Sequence, residues 1–292
     1  MFTGIFAPIA TPFDGDNIAY DKLQANLEKY SKSRLAGVVV LGSNGEFALL
    51  SHQEKVELIT FVRKHLAADK QVIAGTGCES TKETIQLTKE AAAAGADAAL
   101  VITPWYYKGS MTDAVLEAFF TEVADASPIP VMLYNMPRNS GVNMSAALVA
   151  KLAKHPNIVG VKDSSGDIVQ IASIINNTPK DFSVFAGSGS FLYATIALGG
   201  VGGTLAVANI LPDMSVDIYE AAMAGRHEEA KELQMKILAA NGAVTSRWGI
   251  AGLKAALDML GYYGGQPRKP LQPMAESQLP ELRKILTEVG AL

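Results

Sequence analysis

Along this chain, short apolar runs alternate eight times with longer amphipathic stretches. The runs cover residues 4–10, 38–42, 72–75, 98–103, 130–134, 158–162, 182–186 and 203–207. They are rich in Val, Ile and Leu and do not alternate cleanly with polar residues, the pattern of strands buried on both faces of a parallel sheet. The stretches between them carry helix grammar. Ser51-His52-Gln53-Glu54 reads as a capping box ahead of Val56, Leu58 and Ile59, and Ser80-Thr81-Lys82-Glu83 repeats it ahead of Ile85 and Leu87. Thr112, Ser145 and Asp167 are further helix starts, and Gly95 is a stop. Parallel strands require such crossovers, and eight β–α units close into a barrel. The pattern therefore predicts an α/β fold, a (β/α)8 TIM barrel over residues 1–225. From about Arg226 it turns purely helical, through 228–238, 250–260 and 276–289. That predicts a C-terminal helical extension over 226–292, part of one single domain.

Composition narrows the function. A length of 292 residues suits one such barrel, and 49% hydrophobic against 18% charged residues supplies its core. A formal net charge of −4 leaves no basic footprint for nucleic acid. The single cysteine, Cys78, excludes a disulfide framework and a cysteine zinc cluster, and it reads as a small, half-buried residue. No apolar run approaches the roughly 20 residues that span a membrane. The start, Met1-Phe2-Thr3-Gly4, has no basic n-region, so a cytoplasmic protein is expected.

In such barrels, chemistry sits at the C-terminal ends of the strands. Lys162 ends the sixth run, Ile158-Val159-Gly160-Val161-Lys162. Alternation puts Ile158, Gly160 and Lys162 on the inner face, with space beneath the lysine at Gly160. A lysine there would be partly desolvated, which favours the neutral amine that attacks carbonyls. Spacing alone equally allows a strand-end lysine reaching solvent. Tyr134 holds the matching position on the fifth run, where a phenol shuttles protons or simply caps a core. Gly42-Ser43-Asn44-Gly45-Glu46 makes a tight turn whose N–H groups can face an anion. Gly187-Ser188-Gly189-Ser190 is a second possible anion cradle, and neither fits a dinucleotide fingerprint. The four histidines, His52, His65, His155 and His227, fall on predicted helices or their ends without metal-ligand spacing.

Together these residues form a recognisable set. Gly42-Ser43-Asn44-Gly45-Glu46, Thr103-Pro104-Trp105-Tyr106-Tyr107, Tyr134-Asn135-Met136-Pro137 and Gly160-Val161-Lys162-Asp163 resemble the dihydrodipicolinate synthase and N-acetylneuraminate lyase superfamily over the whole chain. The resemblance implies a class I aldolase: Lys162 forms the Schiff base, Tyr134 moves protons with Ser43, and Tyr106 completes the relay from a neighbouring subunit. It implies that Ser43 and Asn44 hold the carboxylate of a small 2-oxo acid, with no metal or organic cofactor. A homotetramer built from two tight dimers is implied as well.

Within the superfamily, dihydrodipicolinate synthases resemble one another in an arginine that grips the second substrate. Asn139 stands at that position here, and Arg138, one residue earlier, is expected to aim elsewhere. The chain looks more like 4-hydroxy-2-oxoglutarate aldolase, on the Ser-Asn turn, Pro104–Gly109, Gly261–Gly265 and the stretch from Ala243 to Ile250. That branch adds Asn139, Ser164 and Ser188 as substrate-binding positions, with oxaloacetate decarboxylation as a side activity. Trp105 departs from it, as a bulky residue that narrows substrate choice. Competing readings are a 2-keto-3-deoxy sugar acid aldolase, 4-hydroxy-tetrahydrodipicolinate synthase, a phosphate-sugar isomerase suggested by Gly199-Gly200 and Gly202-Gly203, and a catalytically silent sensor of 2-oxo acids.

Overall fold

In the computed structural model, which describes residues 1–292, eight parallel strands close into a barrel. They are β1 (Gly4–Pro8), β2 (Gly37–Val40), β3 (Gln71–Gly75), β4 (Ala98–Ile102), β5 (Val131–Asn135), β6 (Ile158–Asp163), β7 (Ser183–Ala186) and β8 (Gly202–Thr204). Each pairs with its neighbours in sequence, and β1 closes the ring against both β2 and β8. A small antiparallel hairpin, Phe13–Asp14 with Asn17–Ile18, follows β1.

The crossovers are α1 (Tyr20–Lys32), α2 (His52–His65), α3 (Thr81–Ala93), α4 (Asp113–Ala126), the short α5 (Pro137–Ser140) with α6 (Ala146–Leu152), α7 (Ile168–Asn177) and α8 (Leu192–Ala197); α9 (Pro212–Met223) follows β8. Their starts are where the sequence puts them. Ser51 and Glu54 form the reciprocal box, while Thr112, Ser145 and Asp167 each accept from a first-turn backbone N–H. The second box is only half made. Ser80 accepts from Glu83 N, but the Glu83 carboxylate meets His52 Nδ1 at 2.7 Å instead of turning back. Beyond α9 come α10 (His227–Gly242), a π-helical turn (Ala243–Arg247), α11 (Gly249–Met259) and α12 (Leu279–Glu288).

The apolar side chains divide into layers. Ten residues, Phe6, Met132 and Phe185 among them, fill the barrel interior. A larger cluster joins Ile5, Val38 and Val40 of the barrel wall to Leu253 and Leu257 of α11 and Leu282 and Leu286 of α12. The C-terminal helices thus share the barrel's own core. The loop after α11 is also tied down: Arg268 grips Glu54 of α2 at 2.6 Å and donates to Leu49 O at 3.0 Å. The hydrogen bonds from Arg268 and then from Ser51 hold the Glu54 carboxyl at about 2, below its ordinary 4.5. A carboxylate depressed on folding contributes stability that is complete above about pH 4.5 and disappears as pH falls toward about 2. Glu54→Gln is expected to flatten the melting temperature across that window, as calorimetry at graded pH would show.

Most strand ends fall within one or two residues of the sequence reading, and two differences bear on the site. The eighth ends at Thr204 rather than 207, because Ala206–Asn209 winds into a 3-10 turn. Gly202 is required there, since a Cβ would meet Gly4 O at 2.3 Å, which accounts for the glycines without phosphate chemistry. In β6 the register skips: Val131 pairs with Ile158, but Met132 pairs with Gly160. This bulge breaks the alternation. Ile158 packs outward with Val131 and Val161, and Val159 turns toward the interior cluster. The expectation that Ile158 shares the inner face with Lys162 is therefore wrong, while Gly160 is placed as expected. A Cβ at Gly160 would lie 2.5 Å from Ser183 O and 2.9 Å from its Cβ. Gly160→Ala is expected to cost about 1–3 kcal/mol through overpacking, read as a lower melting temperature.

Candidate active site

The register of β5 and β6 sets Tyr134 directly beside Lys162. Lys162 is 3% exposed, which rules out the solvent-facing alternative, and its Nζ stands 4.0 Å from the centre of the Tyr134 ring. Next door, Asp163 anchors the strand ends: Oδ2 accepts from Asn135 at 2.8 Å and Gln170 at 3.1 Å, and Oδ1 accepts from Ser165 N at 2.8 Å. With its carboxylate so engaged, Asp163 holds the backbone that aims Lys162 inward.

Tyr134 Oη lies 3.3 Å from Ser43 Oγ, closing the order Lys162–Tyr134–Ser43. Burial pushes the phenol up, but the Lys162 ammonium and the Ser43 hydrogen bond outweigh it, so the group sits below its ordinary 10.0. A buried tyrosine with its pKa depressed by a neighbouring amine is suited to moving protons at that amine.

Ser43 comes from a 3-10 turn, Ser43–Gly45, between two strained residues. Leu41 (φ 60°) and Glu46 (φ 56°) are the only non-glycine residues of the chain with positive φ. Each such left-handed residue costs roughly 1–2 kcal/mol, and strain of this kind gathers at functional sites.

Lys162, Tyr134, Ser43, Asn44, Asn139 and Ser164 all line one cavity of about 280 Å³ at the C-terminal ends of the strands. Its wall contains no Asp or Glu. The Ser164 hydroxyl is buried in the cavity wall beside Tyr134. Three expectations need correction or completion. Arg138, expected to aim elsewhere, lines the cavity beside Asn139, with its Nη2 3.5 Å from Ser246 O. Ser188 is outside the cavity wall, because its hydroxyl caps Ser190 N and accepts from Asn241 Nδ2 at 3.2 Å. Tyr106 is 74% exposed, packed edge-on against Tyr107 and absent from the cavity within one chain.

The sequence reading missed Thr204, buried in the cavity wall with its hydroxyl unpartnered. It ends β8, but the sequence run reads on to Val207, so the strand-end rule that found Lys162 points past it. Val244 and Thr245, from the π-helical turn, also line the cavity. Trp105 stands in an adjoining apolar cavity of about 290 Å³, edge-on to Phe47 at 5.8 Å. No three His, Cys, Asp or Glu side chains gather as a metal site, and no helix is long and apolar enough to cross a membrane.

A sequence model of the Dihydrodipicolinate synthetase family matches residues 1–289. The chain belongs to that family. Its relatives include the 4-hydroxy-tetrahydrodipicolinate synthase of Methanothrix thermoacetophila, 38% identical over 100% of this chain and 98% of the relative. Another is the probable mitochondrial 4-hydroxy-2-oxoglutarate aldolase of Emericella nidulans, 37% identical over 99% of this chain and 95% of the relative. Among solved structures, the chloride-inhibited dihydrodipicolinate synthase of Acinetobacter baumannii in complex with pyruvate superposes over 100% of both chains, with a TM-score of 0.96 and 31% identity. The fold is the family's barrel, and the chain is a metal-independent enzyme of the aldolase type.

Proposed function

We propose that Lys162 condenses with the ketone of 4-hydroxy-2-oxoglutarate and that the enzyme cleaves this acid to pyruvate and glyoxylate. The observation that carries this reading is the buried Lys162 amine beside Tyr134, whose phenol meets Ser43 in one cavity. The amine adds to C2, and loss of water leaves a protonated imine. The 4-hydroxyl gives its proton to Tyr134, assisted by Ser43, and the C3–C4 electron pair moves into the imine. Glyoxylate departs; the remaining enamine takes a proton at C3, and hydrolysis frees pyruvate and Lys162. Ser43 and Asn44 hold the carboxylate next to the ketone, and Asn139 and Ser164 meet the distal part. The same imine accommodates decarboxylation of oxaloacetate.

Tyr106, so exposed in one chain, acts in this scheme in the site of a neighbouring subunit, within a tetramer of two tight dimers. Mixing Tyr106→Phe and Lys162→Ala chains is then expected to restore activity, because half of the sites in a hybrid dimer hold both native residues. Two impaired parents whose mixture stays equally impaired would place Tyr106 outside the relay.

A second reading is 4-hydroxy-tetrahydrodipicolinate synthase, which joins pyruvate to an amino-aldehyde acid. Arg138 in the cavity wall favours it, as do the names of the relatives at 38% identity. One screen decides: pyruvate release from 4-hydroxy-2-oxoglutarate, keto-deoxy sugar acids, sialic acid and oxaloacetate, beside consumption of pyruvate with aspartate semialdehyde. The highest kcat/KM is expected on 4-hydroxy-2-oxoglutarate. Faster consumption of the semialdehyde would overturn that assignment.

A further inference from the structure

Beside the Ser43 turn lies a buried ion pair that the chemistry above does not use. Glu46 closes the turn, its N–H donating to Ser43 O at 3.1 Å, and its side chain is directed into the protein. There Lys254 of α11 brings Nζ to 2.8 Å from Glu46 Oε1, with both side chains no more than 1% exposed. At that distance charge attraction and a hydrogen bond together hold the pair. The ammonium also donates to Thr11 O at 2.8 Å and Gln266 O at 3.0 Å. Glu46 Oε2 accepts from Arg268 N at 2.8 Å. Thr11 completes the circuit, its hydroxyl donating to Gly45 O at 2.8 Å. Lys254, Arg268 and Thr11 thus all reach the segment that carries Ser43.

A buried ion pair is weak evidence for stability, since desolvation offsets the attraction. Burial indeed pushes the Lys254 ammonium down, with Glu46 opposing it. This pair sits instead where the backbone is strained, at one of the two left-handed non-glycine residues. Strained conformations persist only when their surroundings over-determine them. From this geometry we infer that Glu46 and Lys254 are positioning residues: they clamp the turn so that Ser43 stays against Tyr134, and they couple the C-terminal helices to catalysis. The inference rests on the Schiff-base reading, through Ser43, but not on which aldehyde is released.

The test follows exchange of the pyruvate methyl protons in heavy water, which needs only imine and enamine formation. Lys254→Met alone strands a buried carboxylate and threatens folding, so the informative variant is Glu46→Gln with Lys254→Met, which removes both charges. Its exchange rate at saturating pyruvate is expected to fall about tenfold, and its melting temperature to fall modestly, because Thr11 O and Gln266 O each lose a donor. In a Ser43→Ala background the same double change is expected to cost less than about twofold, because residues acting through a shared partner are not additive. Thr11→Val, which removes only the hydroxyl's hold on Gly45, should give the same non-additive pattern with a smaller, severalfold loss. A double variant that exchanges like wild type, or a loss equal in both backgrounds, would overturn the inference. A wild type that does not exchange would overturn the Schiff-base reading, and this inference with it.

Discussion

Lys162→Ala is expected to abolish pyruvate release from every candidate substrate, by about 10⁴-fold or more, as deletions of a covalent nucleophile do elsewhere. The variant should fold. Alanine removes a buried amine whose closest recorded contact is the face of Tyr134, and it leaves Asp163 and its three partners in place. The direct check is chemical: borohydride with pyruvate should add a reduced pyruvyl group to wild type, mapped to the peptide carrying Lys162, and nothing to the variant. An adduct mapped to another lysine, Lys254 for example, would move the catalytic centre and remove the basis of the mechanism. Lys254 is the only other lysine buried to a comparable degree, but its ammonium is engaged by Glu46 and two carbonyls.

Tyr134→Phe carries the second-largest expectation, a fall in kcat of about 10²–10⁴-fold, the usual range for a positioned general acid–base group. The ring that faces Lys162 Nζ is kept, so the lysine stays in place. What disappears is the hydroxyl that meets Ser43 at 3.3 Å. Trapping by borohydride should therefore still occur on Lys162, but slowly, and the melting temperature should change little. An unaffected kcat would show that protons reach the imine by another route, and the relay through Tyr134 and Ser43 would have to be withdrawn. The contrast between the two variants separates the amine that forms the bond from the phenol that serves it.

Much of this was readable from residues alone. Eight apolar runs separated by capped amphipathic stretches are a local property, because a strand covered on both faces and a helix packed on one stripe each dictate their own neighbours. The caps at Ser51, Thr112, Ser145 and Asp167 were legible for the same reason, as each bonds to a backbone group within three residues. Lys162 and Tyr134 could be paired because strand ends in a barrel are neighbours by construction.

Tertiary structure decided whatever depends on contacts distant in sequence. The bulge that turns Ile158 outward depends on how β5 and β6 pair, which no run of residues encodes by itself. Glu83 leaves its own cap for His52, 31 residues away. Ser188 is drawn off by Asn241, 53 residues on, and Arg138 reaches the cavity wall where it meets Ser246, 108 residues on. The clamp on Glu46 brings Lys254 and Arg268 to Thr11 and Glu46, more than 200 residues away in sequence. Sequence sets which residues want to be buried and which elements they form. Only packing decides which buried polar group finds which partner, because a hydrogen bond or ion pair forms wherever the folded chain brings donor and acceptor together, and sequence distance does not enter.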